Sequence, residues 1–344
     1  MIKRAAPLPS LAYLARLCDD NGIVEHAQFD QPRREYGYCT DDAGRLLGLA
    51  SRLPGDPDAL HLATVALGFL ERAHLGGAEF RLRQRGDGTW TEDHPSDDAT
   101  GRALLGLGAA VAWAPWPGLR ERALALFDEA SGFRSEHVRA VAYATLGAVE
   151  LVRAEPANAG ARRLIHEARI LLGGAGASEA WPWPEPRLSY ANAIIPEASL
   201  SAAIVMADRR GATNALHQLD WLVARETLGG HFSFTPVGGR DATTTQPMFD
   251  QQPIDAWAMA SACARAFAYT RDRRWAEAVQ RAAAWFLGDN DVGVVVFDPV
   301  TGGGFDGLEP NGVNRNEGAE SSMSFVGTML QLHDLTLELE ASSR

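Results

Sequence analysis

Apolar residues recur at i, i+3, i+4 and i+7 along nearly the whole chain, the spacing of amphipathic helices packed on one face. The pattern predicts twelve helices, over residues 8–20, 40–52, 57–75, 97–112, 118–131, 135–153, 158–173, 195–210, 213–227, 253–270, 272–288 and 318–336. Their connections alternate in length. Those near residues 52–57, 112–118, 153–158, 210–213 and 270–272 are short, and 131–135 is also short. Those at 20–40, 75–97, 173–195, 227–253 and 288–318 are long. Short links make consecutive helices antiparallel neighbours. All the long loops therefore fall at one end, and loops of that length are usually functional. Three segments there have strand character and predict small β-hairpins: Arg81–Trp90 around a Gly-Asp-Gly turn, His231–Val237 and Val292–Pro299.

Every second helix opens alike. The sequences are CTDDAGRLLGLA, PSDDATGRALLGLG, IPEASLSAAIVM, PIDAWAMASACA and EGAESSMSFVGTML. Each places an acid, Asp42, Asp98, Glu197, Asp255 or Glu320, just before a run of small and apolar residues. Successive acids lie 56, 99, 58 and 65 residues apart, and the longest interval holds SEHVRAVAYATLG. There are thus six helical hairpins. Small residues let six inner helices pack closely while the outer six supply bulk. The expected fold is an all-α (α/α)6 toroid, one domain over 1–344. Its inner ring is 40–52, 97–112, 135–153, 195–210, 253–270 and 318–336.

Charge narrows the choice of partner. Lys+Arg number 32 against 44 Asp+Glu, a formal net charge of −12. A nucleic-acid binder needs a basic face, and an anionic membrane surface repels this balance, so neither is expected as a partner. No run of 18 apolar residues is present, and the N-terminal segment reads as a helix rather than a signal peptide. The cysteines Cys18, Cys39 and Cys263 are scattered, without zinc spacing, which fits a reducing cytoplasm. There is no P-loop, dinucleotide fingerprint or GxSxG elbow, and no cofactor or metal is called for. A Ca²⁺ site built from the acidic ring is the weaker alternative.

The segments GYCTDDAGR, SDDATGRALLGLG, LSYANAIIPEASL, FDQQPIDAWAM and NRNEGAESSMSF carry a resemblance. They are similar to the six-hairpin, (α/α)6-barrel glycosidase-like domains found beside or fused to bacterial glycosyltransferases and β-mannoside-processing enzymes. The resemblance runs from about residue 35 to 330. It implies an (α/α)6 barrel, a carbohydrate ligand and a glycosyltransferase as partner.

Acids at helix N-termini have a plain explanation, since they complement orphan N–H groups and the helix dipole. Capping does not explain why Asp41-Asp42 and Asp97-Asp98 are doubled, nor why Arg45 and Arg102 follow at nearly the same spacing. A polyol-binding bowl does, because carboxylates, amides and aromatic rings match the hydroxyls and C–H faces of a sugar. The long loops offer such groups: Tyr36 and Tyr38, then Trp90 and His94, then Trp181, Trp183, Glu185, Tyr190 and Asn192. Gln251 and Gln252 precede Asp255, and Asn314, Arg315, Asn316 and Glu317 precede Glu320. Each tryptophan is equally well read as packing against the ring. The expected substrate is an oligosaccharide or glycoside, and the expected reaction is its hydrolysis by two carboxyls. Asp98 is the candidate acid, with Trp90 as a dry wall. Glu320, or failing it Glu317, is the base, and Glu197 with Glu185 is the reserve pair. Two other readings remain. One is a sugar epimerase or polysaccharide lyase on the same fold, with His26, His94, His137 or His231 as bases. The other is a non-catalytic glycan-binding scaffold serving a glycosyltransferase.

Overall fold

The computed structural model describes residues 8–92, 94–173, 178, 180–245 and 247–342. Twelve α-helices follow one another: α1 Ala12–Leu17, α2 Thr40–Arg52, α3 Ala59–Ala73, α4 Asp97–Trp113, α5 Pro117–Ala130 and α6 Val138–Ala154, then α7 Ala159–Leu172, α8 Ile194–Val205, α9 Arg209–Arg225, α10 Pro253–Thr270, α11 Arg273–Phe286 and α12 Ala319–Ser342. Even-numbered helices pack side by side as α2–α4–α6–α8–α10–α12, and α12 returns to α2, closing a ring. Odd-numbered helices lie outside it, each against its own inner partner, with α1 docked on α12. This is the (α/α)6 toroid expected, with the expected six helices inside.

Glycine sets the spacing of three inner helices. A Cβ on Gly44 of α2 would stand 2.3 Å from the Arg102 carbonyl of α4, and one on Gly106 of α4 would stand 2.3 Å from that of Gly44. On the other side of α4, a Cβ on Gly108 would be 2.0 Å from the Gly147 carbonyl of α6, and one on Gly147 would be 2.1 Å from that of Leu104. No real Cβ tolerates such distances, so backbone lies directly on backbone from α2 through α4 to α6. The outer helices are amphipathic in the ordinary way, with Leu62, Leu67, Leu126, Phe127, Leu164, Leu222 and Trp275 buried against the ring.

Five two-stranded antiparallel sheets decorate the long-loop end: β1 Ala27–Gln28 with β2 Gln31–Pro32, β3 Tyr38–Cys39 with β6 Arg83–Gln84, β4 His74–Gly76 with β5 Glu79–Phe80, β7 Thr227–Leu228 with β8 His231–Phe232, and β9 Gly307–Glu309 with β10 Gly312–Asn314. Two of the predicted strand segments take part. Residues 81–90 turn back on themselves, with Gln84 opposite Trp90, and His231–Phe232 forms β8. The third does not. In Val292–Pro299 only Phe297 makes a bridge, to Gly304, because Phe297 stacks flat on Phe325 of α12 at 4.5 Å and Val296 is fully buried. Those residues seal the outside of the ring, and the hairpin forms further on, at β9 and β10.

Helix ends differ where a local interaction competes. α6 starts at Val138 rather than 135, since the Ser135 hydroxyl takes the His137 N–H at 2.9 Å. α8 stops at Val205 because Ala207 adopts a left-handed φ of 54°. α1 is cut to six residues as the Val24 N–H takes the Leu17 carbonyl.

The glycine contacts yield a test. Gly147→Ala should destabilise the protein by roughly 1–3 kcal/mol through overpacking, although alanine is the better helix former. Gly68→Ala on outer helix α3, where the nearest atom is the Arg72 side chain at 3.5 Å, should be neutral or stabilising. Thermal unfolding of the two variants checks the contrast.

Candidate functional site

The doubled acids and following arginines form one network. Asp42 and Arg45 share a face of α2 at i, i+3 and pair at 2.7 Å; Asp98 and Arg102 share a face of α4 at i, i+4 and approach to 3.6 Å. The second acid of each pair thus serves the arginine of its own helix. The first reaches to the next helix in the ring. Asp41 meets Arg102 at 3.1 Å, and Asp97 takes the hydroxyl of Ser135, just before α6, at 2.5 Å. Arg45 turns the other way and holds Glu320 of α12 at 2.6 Å. Neither acid pair acts as a side-chain cap, and the N-cap of α4 is Ser96. Their place in the first turn still suits the helix dipole.

Arg102 is almost completely buried, and its guanidinium lies over the Tyr143 ring at 4.4 Å. Its other edge approaches the Tyr190 hydroxyl at 3.3 Å, which in turn donates to Asp98 at 3.2 Å. A third buried arginine completes the arc. Arg139 of α6 donates to both oxygens of Glu185 at 2.8 and 2.7 Å, to Asn192 at 2.9 Å and to the Tyr190 carbonyl at 2.7 Å. Sequence reasoning missed Arg139 because α6 has no acid at its start. The available signal was an arginine at the opening of the one inner helix that broke the acidic pattern. A cleft of about 510 Å³ opens between the starts of α4 and α6, lined by Asp97, Asp98, His137, Arg139, Glu185 and Tyr190.

Two carboxylates of this floor remain well exposed: the Asp98 side chain at 43% and that of Glu320 at 37%. Glu185, at 29%, and Asp41, at 16%, are more withdrawn. Burial pushes the Asp42 carboxyl up to about 7 against the pull of Arg45. Asp255, in the first turn of α10, is buried. Burial, then the like charge of Glu226, holds it well above the usual range.

Several expected site residues lie elsewhere. Trp181 and Trp183 do not line the bowl. Both are buried against Trp221 of outer helix α9, with ring centroids at 5.0 and 6.0 Å. Their apolar area is satisfied by loop-to-helix packing. Trp90 packs on Phe69 of α3 beneath Arg81 and is not among the residues of the Asp98 cleft, so the dry wall expected for Asp98 is missing. Glu317 points outward, not inward. It is buried, it accepts from Thr301 at 2.7 Å, and its carbonyl accepts from Tyr13 of α1. It sits three residues before Glu320 but ahead of α12, so helical spacing does not align the two. Glu197 faces the axis of the toroid below the bowl floor, where its Oε2 has no hydrogen-bond partner among the described residues.

Gln251 is wholly buried and serves the loops. It accepts from the Phe234 N–H and the Trp285 indole and donates to Asp291 and the Met248 carbonyl. Tyr38 is buried and bonds Asp19. Asn192 orients Arg139. Asn316 accepts from the Phe29 N–H, and Asn314 accepts from that of Asn316. Gln252 is the half-buried N-cap residue of α10. Tyr36, His94 and Arg315 are exposed on the loops. Among the described residues no group of three or more His, Cys, Asp or Glu is arranged to hold a metal ion. No helix among them is long and apolar enough to cross a membrane.

Neither a family model nor a curated protein sequence matches the chain. Solved structures do. The cellobiose 2-epimerase of Bacillus thermoamylovorans superposes with a TM-score of 0.71 at 14% identity, over 96% of both chains. A D-mannose isomerase gives 0.67 at 11% identity over 93% of this chain and 94% of its own. The GH76 α-mannanase BT2949 of Bacteroides thetaiotaomicron gives 0.65 at 11%, over 96% and 95%. At these identities the similarity is one of fold, the six-hairpin (α/α)6 barrel.

Two measurements follow. Trp183→Ala should cost roughly 3–5 kcal/mol in urea unfolding, the price of emptying a fully buried site. Glu197 has a raised folded-state pKa, from 4.5 to about 7, caused first by burial and opposed by Arg265. The folded protein therefore keeps a proton that the unfolded chain releases above pH 4.5. Stability should fall as pH rises from about 4.5 to 7, by at most about 3 kcal/mol from this group, and level off above. In Glu197→Gln that part of the slope should be absent when unfolding is measured at pH 5 and pH 8.

Proposed function

We propose that the protein is a carbohydrate-active enzyme, a glycoside hydrolase whose bowl at the inner-helix N-termini binds an oligosaccharide or glycoside. One observation carries this reading. Asp98 and Glu320 are exposed carboxylates of the floor network, and each is held by a buried arginine, Arg102 and Arg45. The remaining floor supplies alternating donors and acceptors for adjacent hydroxyls: Arg139, Glu185, Asp41 and Tyr190.

Glu320, held at 2.6 Å by Arg45, is the base that takes a proton from water. Asp98 is the acid. In the free protein it meets solvent, and a sugar lying over it would strip that water away beside its neighbour Asp97. The Tyr190 hydroxyl and Arg102 hold the carboxyl in place for that role. A second reading, epimerisation, is favoured by His137, an imidazole in the cleft beside Asp98. Such a base can move a proton next to a carbonyl.

A panel of α- and β-linked oligosaccharides with mass detection separates the readings. Hydrolysis yields shorter products. Epimerisation yields an isomer of equal mass that gains deuterium from heavy water. Binding without either product identifies a glycan-binding scaffold. With a hydrolysed substrate in hand, Asp98→Asn and Glu320→Gln should each lower turnover at least 10²-fold while the melting temperature holds. Near-native turnover in both would overturn the assignment.

A further inference from the structure

The toroid has a second cavity, at the end opposite the bowl. It has a volume of about 430 Å³, runs along the axis and opens among the C-terminal turns of the inner helices. That size is in the range of small-molecule sites. Its walls are apolar: Leu49, Leu105, Leu146, Ile254 and Trp257 line them, and Gly48 and Ala109 leave the room.

Much of the charge around the cavity is already paired. Arg52 pairs with Asp334 at 2.7 Å, Arg265 with Glu150 at 2.7 Å and Arg153 with Glu150 at 3.1 Å. Four buried polar atoms that line it have no hydrogen-bond partner among the described residues: Glu197 Oε2, whose foremost charged neighbour is Arg265, then Arg265 Nε, Tyr143 Oη and Arg45 Nε. Unpaired polar atoms in a water-poor site cost free energy, so such a set stands ready for a ligand group that can both donate and accept. A hydroxyl does both. A carboxylate would meet Glu197, and an ammonium would meet Arg45.

From this geometry we infer that the axial cavity binds a neutral amphiphile, a hydroxyl-headed apolar molecule. Its hydroxyl bonds Glu197, and its apolar body lies against Leu49, Leu146, Ile254 and Trp257. The site is independent of the reading given to the bowl. It approaches the bowl floor from beneath, since Tyr143 is the ring on which Arg102 rests and Arg45 is the arginine that holds Glu320.

Titration calorimetry of the whole protein with 1-octanol tests the proposal, with octanoate and octylammonium as comparisons. Saturable 1:1 binding of 1-octanol, at least 10-fold tighter than either ion, is expected. Gly48→Leu should weaken it at least 10-fold by filling the cavity. The β position of Gly48 has only the Ala109 methyl nearby, at 3.7 Å, so the substitution meets no backbone. Ala264→Leu, on the wall nearer the mouth, is the second filling variant should the first fail to fold. No saturable binding of 1-octanol would mean that the cavity holds solvent only, and the proposal would fall. It would fall equally if an ion bound as well as the alcohol, or if a folded cavity-filling variant bound 1-octanol unchanged.

Discussion

Direct backbone contact between α2, α4 and α6 is the constraint on which the rest depends. Glycines remove the Cβ at the closest approaches of the two seams, so the carbonyls of one helix rest against the Cα atoms of the next. The residues beside these glycines are the ones that matter at the bowl floor. Gly44 is followed by Arg45 and Gly101 by Arg102. Closing the seam brings Arg102 within reach of Asp41 across it. A seam held apart by ordinary side chains would take Asp41 away from the buried Arg102 and leave it Asp98 alone, a weaker compensation for a buried charge.

The floor is uneven around the ring. On the α12–α2–α4–α6 side each of these charges has a partner on its own helix, the adjoining one or, for Arg139, the loop before α8, and the network rigidifies as a unit. On the α8–α10 side Glu197 and Asp255 are buried, and both are pushed toward neutrality. The exposed carboxylates, Asp98 and Glu320, fall on the paired side. A reaction that needs positioned charge therefore has its rigid support there. Arg45 and Tyr143 instead mark where the bowl floor meets the axial cavity below.

Much of this was legible in one sequence. The helical period, the alternation of short and long loops and the repeated opening of every second helix led to twelve helices in two rings. They also placed the acids at one end. The pairs Asp42–Arg45 and Asp98–Arg102 were readable too, because i, i+3 and i, i+4 spacing puts side chains on one face whatever the surroundings. What depends on local periodicity and chain order is written in the sequence itself.

Direction and company were decided by tertiary structure. Glu317 and Glu320 are three positions apart, yet one meets outer helix α1 and the other the bowl, because Glu317 precedes the helix and follows the loop's path. Trp181 and Trp183 read equally well as sugar platforms or packing, and only the position of Trp221 on α9 made them packing. Glu197 shares the motif of the bowl acids but faces the axis, where its neighbours come from three other inner helices. Arg139 carries no motif, and its role exists only because the loop bearing Glu185, Tyr190 and Asn192 folds over it. In each case the deciding atom lies far away in the chain, so its position follows from how the rings and loops close rather than from any spacing the sequence displays.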